Sequence, residues 1–154
     1  TVGALSDGTV TKSKIAFHLW KLAGNLSVSS GAADITANMT QVTAVGSVLS
    51  VSSGVFTFPY TGIWRIQYQI LSSSSAAAAY RGGAISATTD GSNFSEIRNG
   101  FTSNTASTYF ALDINYTFDC TNVSTHKIKF RTENAASGTL SQGTNFSFTY
   151  LGDT

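Results

Sequence analysis

The sequence has few charged residues, which occupy 11% of its 154 positions, against about 25% in an ordinary soluble domain. Nine basic and eight acidic residues leave a net charge of +1, which excludes the strong positive field that attracts nucleic acid or an anionic membrane. The single cysteine, Cys120, allows no intrachain disulfide. No run approaches the roughly 18 apolar residues that a transmembrane helix needs.

Proline and helix-forming runs are also scarce. Pro59 is the one proline, so 14 glycines supply the turns, and no stretch has the Ala, Glu, Lys and Leu pattern of a coiled coil. The sequence instead holds 22 serines, 21 threonines, ten phenylalanines and six tyrosines. The aromatic residues can bury enough surface to offset the entropy of folding. This composition predicts an ordered all-β domain.

Segments with alternating apolar and polar residues recur along the chain. In segment 62–71, Trp64, Ile66, Tyr68 and Ile70 fall on one face and polar residues on the other, which is the pattern of a half-buried strand. Segment 72–79, SSSSAAAA, is predicted to be a loop. Eight to ten such strands predict an antiparallel sandwich or jelly roll. The predicted strands are 14–20, 33–40, 47–58, 62–71, 81–89, 94–98, 107–118, 126–132 and 145–151.

Catalytic and metal-binding patterns are weak, so we predict a protein without enzymatic activity or cofactor. His18 and His126 are far apart in sequence, no G-x-S-x-G motif occurs, and one cysteine with two histidines does not make a zinc site. Both imidazoles are expected to be solvated or locally hydrogen-bonded. Asp90 precedes a glycine in TTDGSNFSEI (88–97), which favours a hairpin turn over a calcium site. A glycan-degrading carboxylate pair is a weaker alternative.

Two groups of residues are candidates for ligand binding. Lys127, Lys129 and Arg131 alternate along one strand face and form a basic stripe that could meet an anionic glycan. The alternative is that these charges keep the strand soluble and protect a sheet edge. Tyr80 and Arg81, next to the SSSSAAAA segment, are predicted to be an exposed pair of an aromatic ring and a cation, which suits stacking on a sugar, although they could equally begin a strand.

Segment 53–70, SGVFTFPYTGIWRIQYQI, resembles the globular heads of complement component one q and the tumour-necrosis-factor-like jelly rolls. Gly54, Phe56, Thr57, Pro59, Gly62 and Trp64 match the family's G-x-F-T-x-P-x-x-G-x-aromatic pattern. Segments 15–19 and 146–154 are similar to the family's first and last strands. The composition is rich in Ser, Thr and Asn. Together with the segment TTDGSNFSEI and the ending YLGDT, it is most similar to that of structural proteins of bacteriophages and marine viruses.

This resemblance implies an all-β, antiparallel, ten-stranded jelly-roll sandwich of the tumour-necrosis-factor-like type that assembles as a homotrimer. Strands 62–71, 107–118 and 145–151 would form the inner sheet, with one face turned toward the threefold axis. Arg65 and Asp113 would pair in that interface, and the basic stripe would lie on the outer sheet. The expected trimer-interface residues are Arg65, Gln67, Asp113 and Asn115.

The function implied is that of a virion structural protein, a trimeric fibre or spike head that contacts a host-surface glycan or receptor and other virion proteins. We expect it on the virion surface after assembly in the host cytoplasm. The alternatives are a capsid decoration protein without a ligand and the head of a bacterial spore-coat or secreted fibre. Because Thr1 is not Met, we expect a trimmed domain, with an N-terminal arm or linker at 1–12 and the jelly roll at 13–154.

Overall fold

The computed structural model describes residues 15–74 and 76–154, so the arm predicted at 1–12 lies outside the described residues. The described residues form thirteen strands, eight of them six residues or longer, and no helix that could cross a membrane. The strands are β1 (Phe17–Leu22), β2 (Leu26–Val28), β3 (Gly31–Asp34), β4 (Met39–Val45), β5 (Ser50–Ser52), β6 (Val55–Thr57), β7 (Gly62–Ser74), β8 (Ala78–Thr88), β9 (Ser95–Asn104), β10 (Thr108–Cys120), β11 (Lys127–Asn134), β12 (Gly138–Leu140) and β13 (Asn145–Gly152).

Two antiparallel sheets pack face to face. The inner sheet runs β10–β7–β13–β1–β4, with β12 and then β2 continuing from the far end of β7. The outer sheet runs β5–β6–β11–β8–β9, with β3 beside the second half of β11. The predicted sandwich is confirmed, and β7, β10 and β13 do share one sheet. The strand total exceeds ten because five segments of three or four residues pair separately.

The core is formed by the apolar residues that alternate with polar residues along the strands. Trp64, Ile66, Tyr68 and Ile70 are all fully buried between the sheets, as predicted. Phe56 of β6 lies at the centre, because its ring contacts aromatic rings from both sheets. Those rings are Trp20, Phe130, Phe146 and Phe148, with centroids 4.9 to 6.3 Å away.

Predicted strand 47–58 is divided in two. Ser53 and Gly54 both have positive φ, 47° and 78°, and such residues form the tight turn of a two-residue hairpin. A side chain at Gly54 would collide with the Ile35 carbonyl oxygen. The turn therefore pairs β5 with β6, with Val51 opposite Phe56.

The loop predicted at 72–79 is wrong at both ends. Ser72 and Ser74 belong to β7 and are buried, and Ala78 begins β8. The Ser72 hydroxyl donates to the Thr139 carbonyl (2.9 Å), and Ser74 Oγ donates to the Ser137 carbonyl (3.1 Å). These bonds satisfy the hydroxyls inside the sandwich, so serine is compatible with a buried strand there.

Candidate binding surfaces

The face of the inner sheet that turns away from the outer sheet is called the open face. Arg65, Asp113 and Asn115 are exposed on it, and Gln67 is half-buried beside them. Asn115 pairs with Gln67 across the β7–β10 ladder. The structure therefore brings the four predicted interface residues together on one surface of one subunit.

Arg65 and Asp113 do not pair within a subunit. The register places Asp113 opposite Gln69, and Arg65 opposite Thr117. Four residues along β10 separate the two rows, which is about 14 Å at the usual rise per residue. A contact between these two charges can form only across two copies of the chain.

Apolar side chains also lie on the open face, beside the four polar residues that the sequence analysis assigned to the trimer interface. Phe17, Val45 and Leu151 are 36%, 46% and 56% exposed. Val45, Phe17, Thr149 and Arg65 lie in one row across four strands. Phe17 was not detectable, because the structure turns His18 rather than the apolar Phe17 toward the core in β1. Val45 belongs to the part of β4 that extends beyond the predicted strand 33–40.

A hollow of about 400 Å³ lies on the same face and is lined by Arg65, Asn115, Tyr116, Thr117 and Leu151. Its walls combine a guanidinium, an amide and an aliphatic side chain. Polar and apolar groups side by side are typical of a surface that meets another protein rather than of a deep ligand pocket.

The basic stripe lies on the outer sheet, as predicted. Lys127, Lys129 and Arg131 project from β11 on the side away from the core and are half-buried. Lys129 Nζ lies 2.7 Å from Asp34 Oδ2 and 4.6 Å from the centroid of the Phe94 ring. These contacts hold Lys129 in place, so Lys127 and Arg131 are the better candidates for a ligand.

The suggestion that the stripe protects a sheet edge is wrong. β11 is an interior strand with β8 on one side and β6 and β3 on the other. Lys129 pairs with Ser86 and Arg131 with Ala84, and both small residues are almost completely buried. The long side chains of the stripe cover β8, which is a packing role for their aliphatic parts.

Tyr80 and Arg81 do not form the predicted exposed pair. Tyr80 is 40% exposed and packs edge-on against Phe101, with ring centroids 5.8 Å apart. Arg81 is fully buried, because successive residues of a strand point to opposite faces of the sheet. Only Tyr80 is available to a ligand on the outer surface.

Arg81 connects segments at one end of the sandwich. Its Nε donates to Asn104 Oδ1 (2.8 Å), and its Nη2 donates to Ser74 Oγ (2.6 Å) and the Ser137 carbonyl (2.7 Å). Nη1 has no hydrogen-bond partner among the described residues. Burial lowers the pKa of the Arg81 guanidinium, since desolvation disfavours its charged form.

A cleft of about 700 Å³ opens at this end of the inner sheet, and we call it the end cleft. Ser27, Thr139, Ser73 and Tyr109 form a row across β2, β12, β7 and β10. This surface could not be predicted from the sequence, because its residues come from four separated segments and serine-rich runs resemble loops. The lining includes Ser27, Ser73, Ser74, Tyr109, Ser137 and Thr139.

Asp90 forms a hairpin turn between β8 and β9, as predicted. Its Oδ1 accepts from the backbone N–H groups of Ser92 (2.9 Å) and Asn93 (2.8 Å) and from Thr88 Oγ1 (2.8 Å), and its Oδ2 accepts from Asn93 Nδ2 (2.7 Å). These bonds hold the pKa of Asp90 well below its usual range. Within 15–74 and 76–154, no group of three His, Cys, Asp or Glu side chains could hold a metal ion.

The two histidines differ in environment. His126 is locally hydrogen-bonded, with Thr121 Oγ1 and Thr125 Oγ1 at 3.0 and 3.1 Å. His18 is fully buried rather than solvated, because it shares the inward face of β1 with Trp20. Its Nδ1 lies 3.3 Å from Gln41 Nε2, and its Nε2 has no partner among the described side chains. Burial lowers the pKa of His18.

His18 should make stability depend on pH. A lowered pKa in the folded state means that the unfolded chain binds more protons below its pKa of about 6.5. Stability present above pH 6.5 is therefore lost as the pH falls below that value. We expect the Tm to drop between pH 7.5 and pH 5.0 by more in the wild type than in His18→Gln. An equal drop in both would contradict this, and His126→Gln is the matched control.

Solved structures with the same arrangement of strands were found. The crystal structure of murine APRIL at pH 5.0 has a TM-score of 0.68 at 16% identity, covering 89% of this chain and 99% of that one. The globular domain of zebrafish complement 1qA has a TM-score of 0.61 at 9% identity, covering 91% and 99%. The PRD1 vertex protein P5 has a TM-score of 0.58 at 17% identity, covering 92% and 100%.

Sequence comparison adds nothing to this likeness: no family model matches the chain, and no curated protein matches it. At these identities the solved structures show the fold alone. The fold that the resemblance in segment 53–70 implied is therefore confirmed. The chain has the jelly-roll fold of the tumour-necrosis-factor-like and complement heads, and its fold is also similar to that of the PRD1 vertex protein P5.

Proposed function

We propose that the chain is a non-enzymatic virion structural protein, a trimeric head of a fibre or spike that binds a host-surface glycan or receptor. The observation that carries this proposal is the likeness to the PRD1 vertex protein P5 over 92% of this chain and all of that one. Its place would be the virion surface, in contact with other virion proteins. The basic stripe and Tyr80 are the candidate contacts on the outer sheet.

The open face supports assembly into a homotrimer. Exposed Phe17, Val45 and Leu151 give it an apolar component, and a stable interface needs about 800 Å² from each partner. Arg65 and Asp113, which do not meet within a subunit, would pair across two subunits. Such pairing avoids burying either charge alone, which costs about 3–5 kcal/mol.

Trimerisation would leave the outer sheets facing outward. Each subunit would then present one basic stripe, and three weak sites on one rigid body gain avidity from geometry alone. A host-surface glycan offers many copies of the same anionic unit, so it suits this arrangement. The same head without a ligand would be a capsid decoration protein.

Charge removal on the stripe tests the binding role. On a glycan array we expect Lys127→Ala plus Arg131→Ala to weaken binding of anionic glycans at least about tenfold, because each subunit loses two charges and avidity multiplies the loss. Arg98→Ala, an exposed cation on β9 of the same sheet, is the control and should bind normally. Unchanged binding in the double variant would remove the stripe as the site. Absence of glycan binding in the wild type would favour the decoration protein.

A further inference from the structure

We infer that the end cleft binds an acidic saccharide, a sugar unit that carries a carboxylate. The inference rests on the proposed glycan-binding role, but it uses a site other than the basic stripe. The end cleft lies where β2, β12, β7 and β10 meet, whereas the stripe lies on the opposite sheet. The two sites can therefore succeed or fail separately. The row of side chains in the cleft is on the open face, but Tyr109 is four residues of β10, about 14 Å, beyond the proposed interface residue Asp113.

The lining of the end cleft has the chemistry that sugars need. Ser27, Ser73 and Thr139 offer hydroxyls that donate and accept hydrogen bonds, which matches the hydroxyls of a saccharide. Tyr109, at the end of the same row, is 75% exposed. An exposed ring beside a row of hydroxyls gives a sugar both an apolar surface to stack on and polar partners.

Arg81 makes the site selective for an acid. Its hydrogen-bond partners are a side-chain amide, a hydroxyl and a backbone carbonyl, all of them neutral. No carboxylate among the described residues pairs with it or lines the end cleft. A buried cation without a counterion is unfavourable, so a carboxylate bound in the cleft would be stabilised by the uncompensated charge.

The charge lies directly behind the wall of the cleft. Gly138 lines the cleft, and a Cβ added to it would collide with Arg81 Nη1, the nitrogen that has no partner among the described residues. The absence of a side chain at Gly138 is what allows this nitrogen to approach the backbone that lines the cleft. Because Nη1 is buried, its attraction to a charge in the cleft is screened less than the attraction between two solvated groups.

Arg81 also sets the shape of the site before any ligand arrives. Its Nη2 holds both Ser74 Oγ and the Ser137 carbonyl, and both residues line the cleft. Ser74 Oγ in turn donates to the Ser137 carbonyl and accepts from the backbone N–H of Ala76 (3.1 Å). A wall held by four hydrogen bonds loses little entropy on binding.

Saturation-transfer NMR with 3′-sialyllactose as the acidic probe and lactose as the neutral probe tests this directly. We expect the wild type to bind sialyllactose at least about tenfold more tightly than lactose. Tyr109→Ala should lose most of this binding, and Val48→Ala, which removes an exposed apolar side chain outside the cleft and the stripe, should keep it. Arg81→Gln should remove the preference for the acid. If that variant does not fold, the comparison of the two probes on the Lys127→Ala plus Arg131→Ala protein still decides the charge argument, because the stripe no longer contributes.

Three results would overturn the inference. Equal binding of both sugars would contradict the role of Arg81, and the absence of a signal from either sugar would exclude the site. Binding that is lost in Lys127→Ala plus Arg131→Ala but kept in Tyr109→Ala would place the sugar on the stripe. That last result would leave the proposed function standing while the inference about the end cleft fails.

Discussion

Replacing Phe56 by alanine should lower the free energy of unfolding by about 3–5 kcal/mol, the range for removing a large aromatic side chain from a packed core. Phe56 is fully buried, and its ring contacts four others. The Trp20, Phe130, Phe146 and Phe148 centroids lie 5.6, 5.5, 6.3 and 4.9 Å away. Because these rings come from both sheets, they cannot close the cavity without moving the sheets together.

Urea denaturation at one fixed protein concentration measures this effect, since assembly makes stability depend on concentration. Val48→Ala is the control, because that side chain is 63% exposed and surface changes usually stay within about 0.5 kcal/mol. A loss below about 1 kcal/mol in Phe56→Ala would mean that the core does not depend on this ring.

Placing a charge on the open face should dissociate the trimer. Leu151 is 56% exposed and lines the same hollow as Arg65, so Leu151→Arg should fold normally as a single chain. In the proposed trimer the new guanidinium would be buried beside Arg65, whose proposed partner Asp113 is a single carboxylate, so one of the two cations would lack a counterion. An unpaired buried charge costs about 3–5 kcal/mol, which weakens association at least about a hundredfold.

Sedimentation velocity over a range of concentrations measures that loss of association. Tyr80→Arg, which adds the same charge on the outer sheet, is the control and should leave the assembly intact. A Leu151→Arg protein that assembles as the wild type does would show that the open face is not the interface.

The sheets were predictable where each strand carries its own signal. Trp64, Ile66, Tyr68 and Ile70 alternate with polar residues, so the buried face of β7 followed from sequence alone. Positions whose burial depends on distant partners were not predictable. Ser72 and Ser74 are strand residues because carbonyl groups more than 60 residues away accept their hydroxyls.

The candidate sites also differ in whether their residues are close together in the sequence. The basic stripe is local to one strand, so its position on the outer sheet could be predicted. Arg81 was expected to be exposed, yet its partners Ser74, Asn104 and Ser137 lie 7, 23 and 56 residues away. The end cleft joins four segments, so only the folded chain brings its hydroxyls together.

The mass in dilute solution, measured by light scattering on a sizing column, tests the central claim most directly. The proposed assembly predicts a mass close to three times the 16.2 kDa of the chain. A mass equal to that of one chain would contradict the trimer and remove the avidity mechanism.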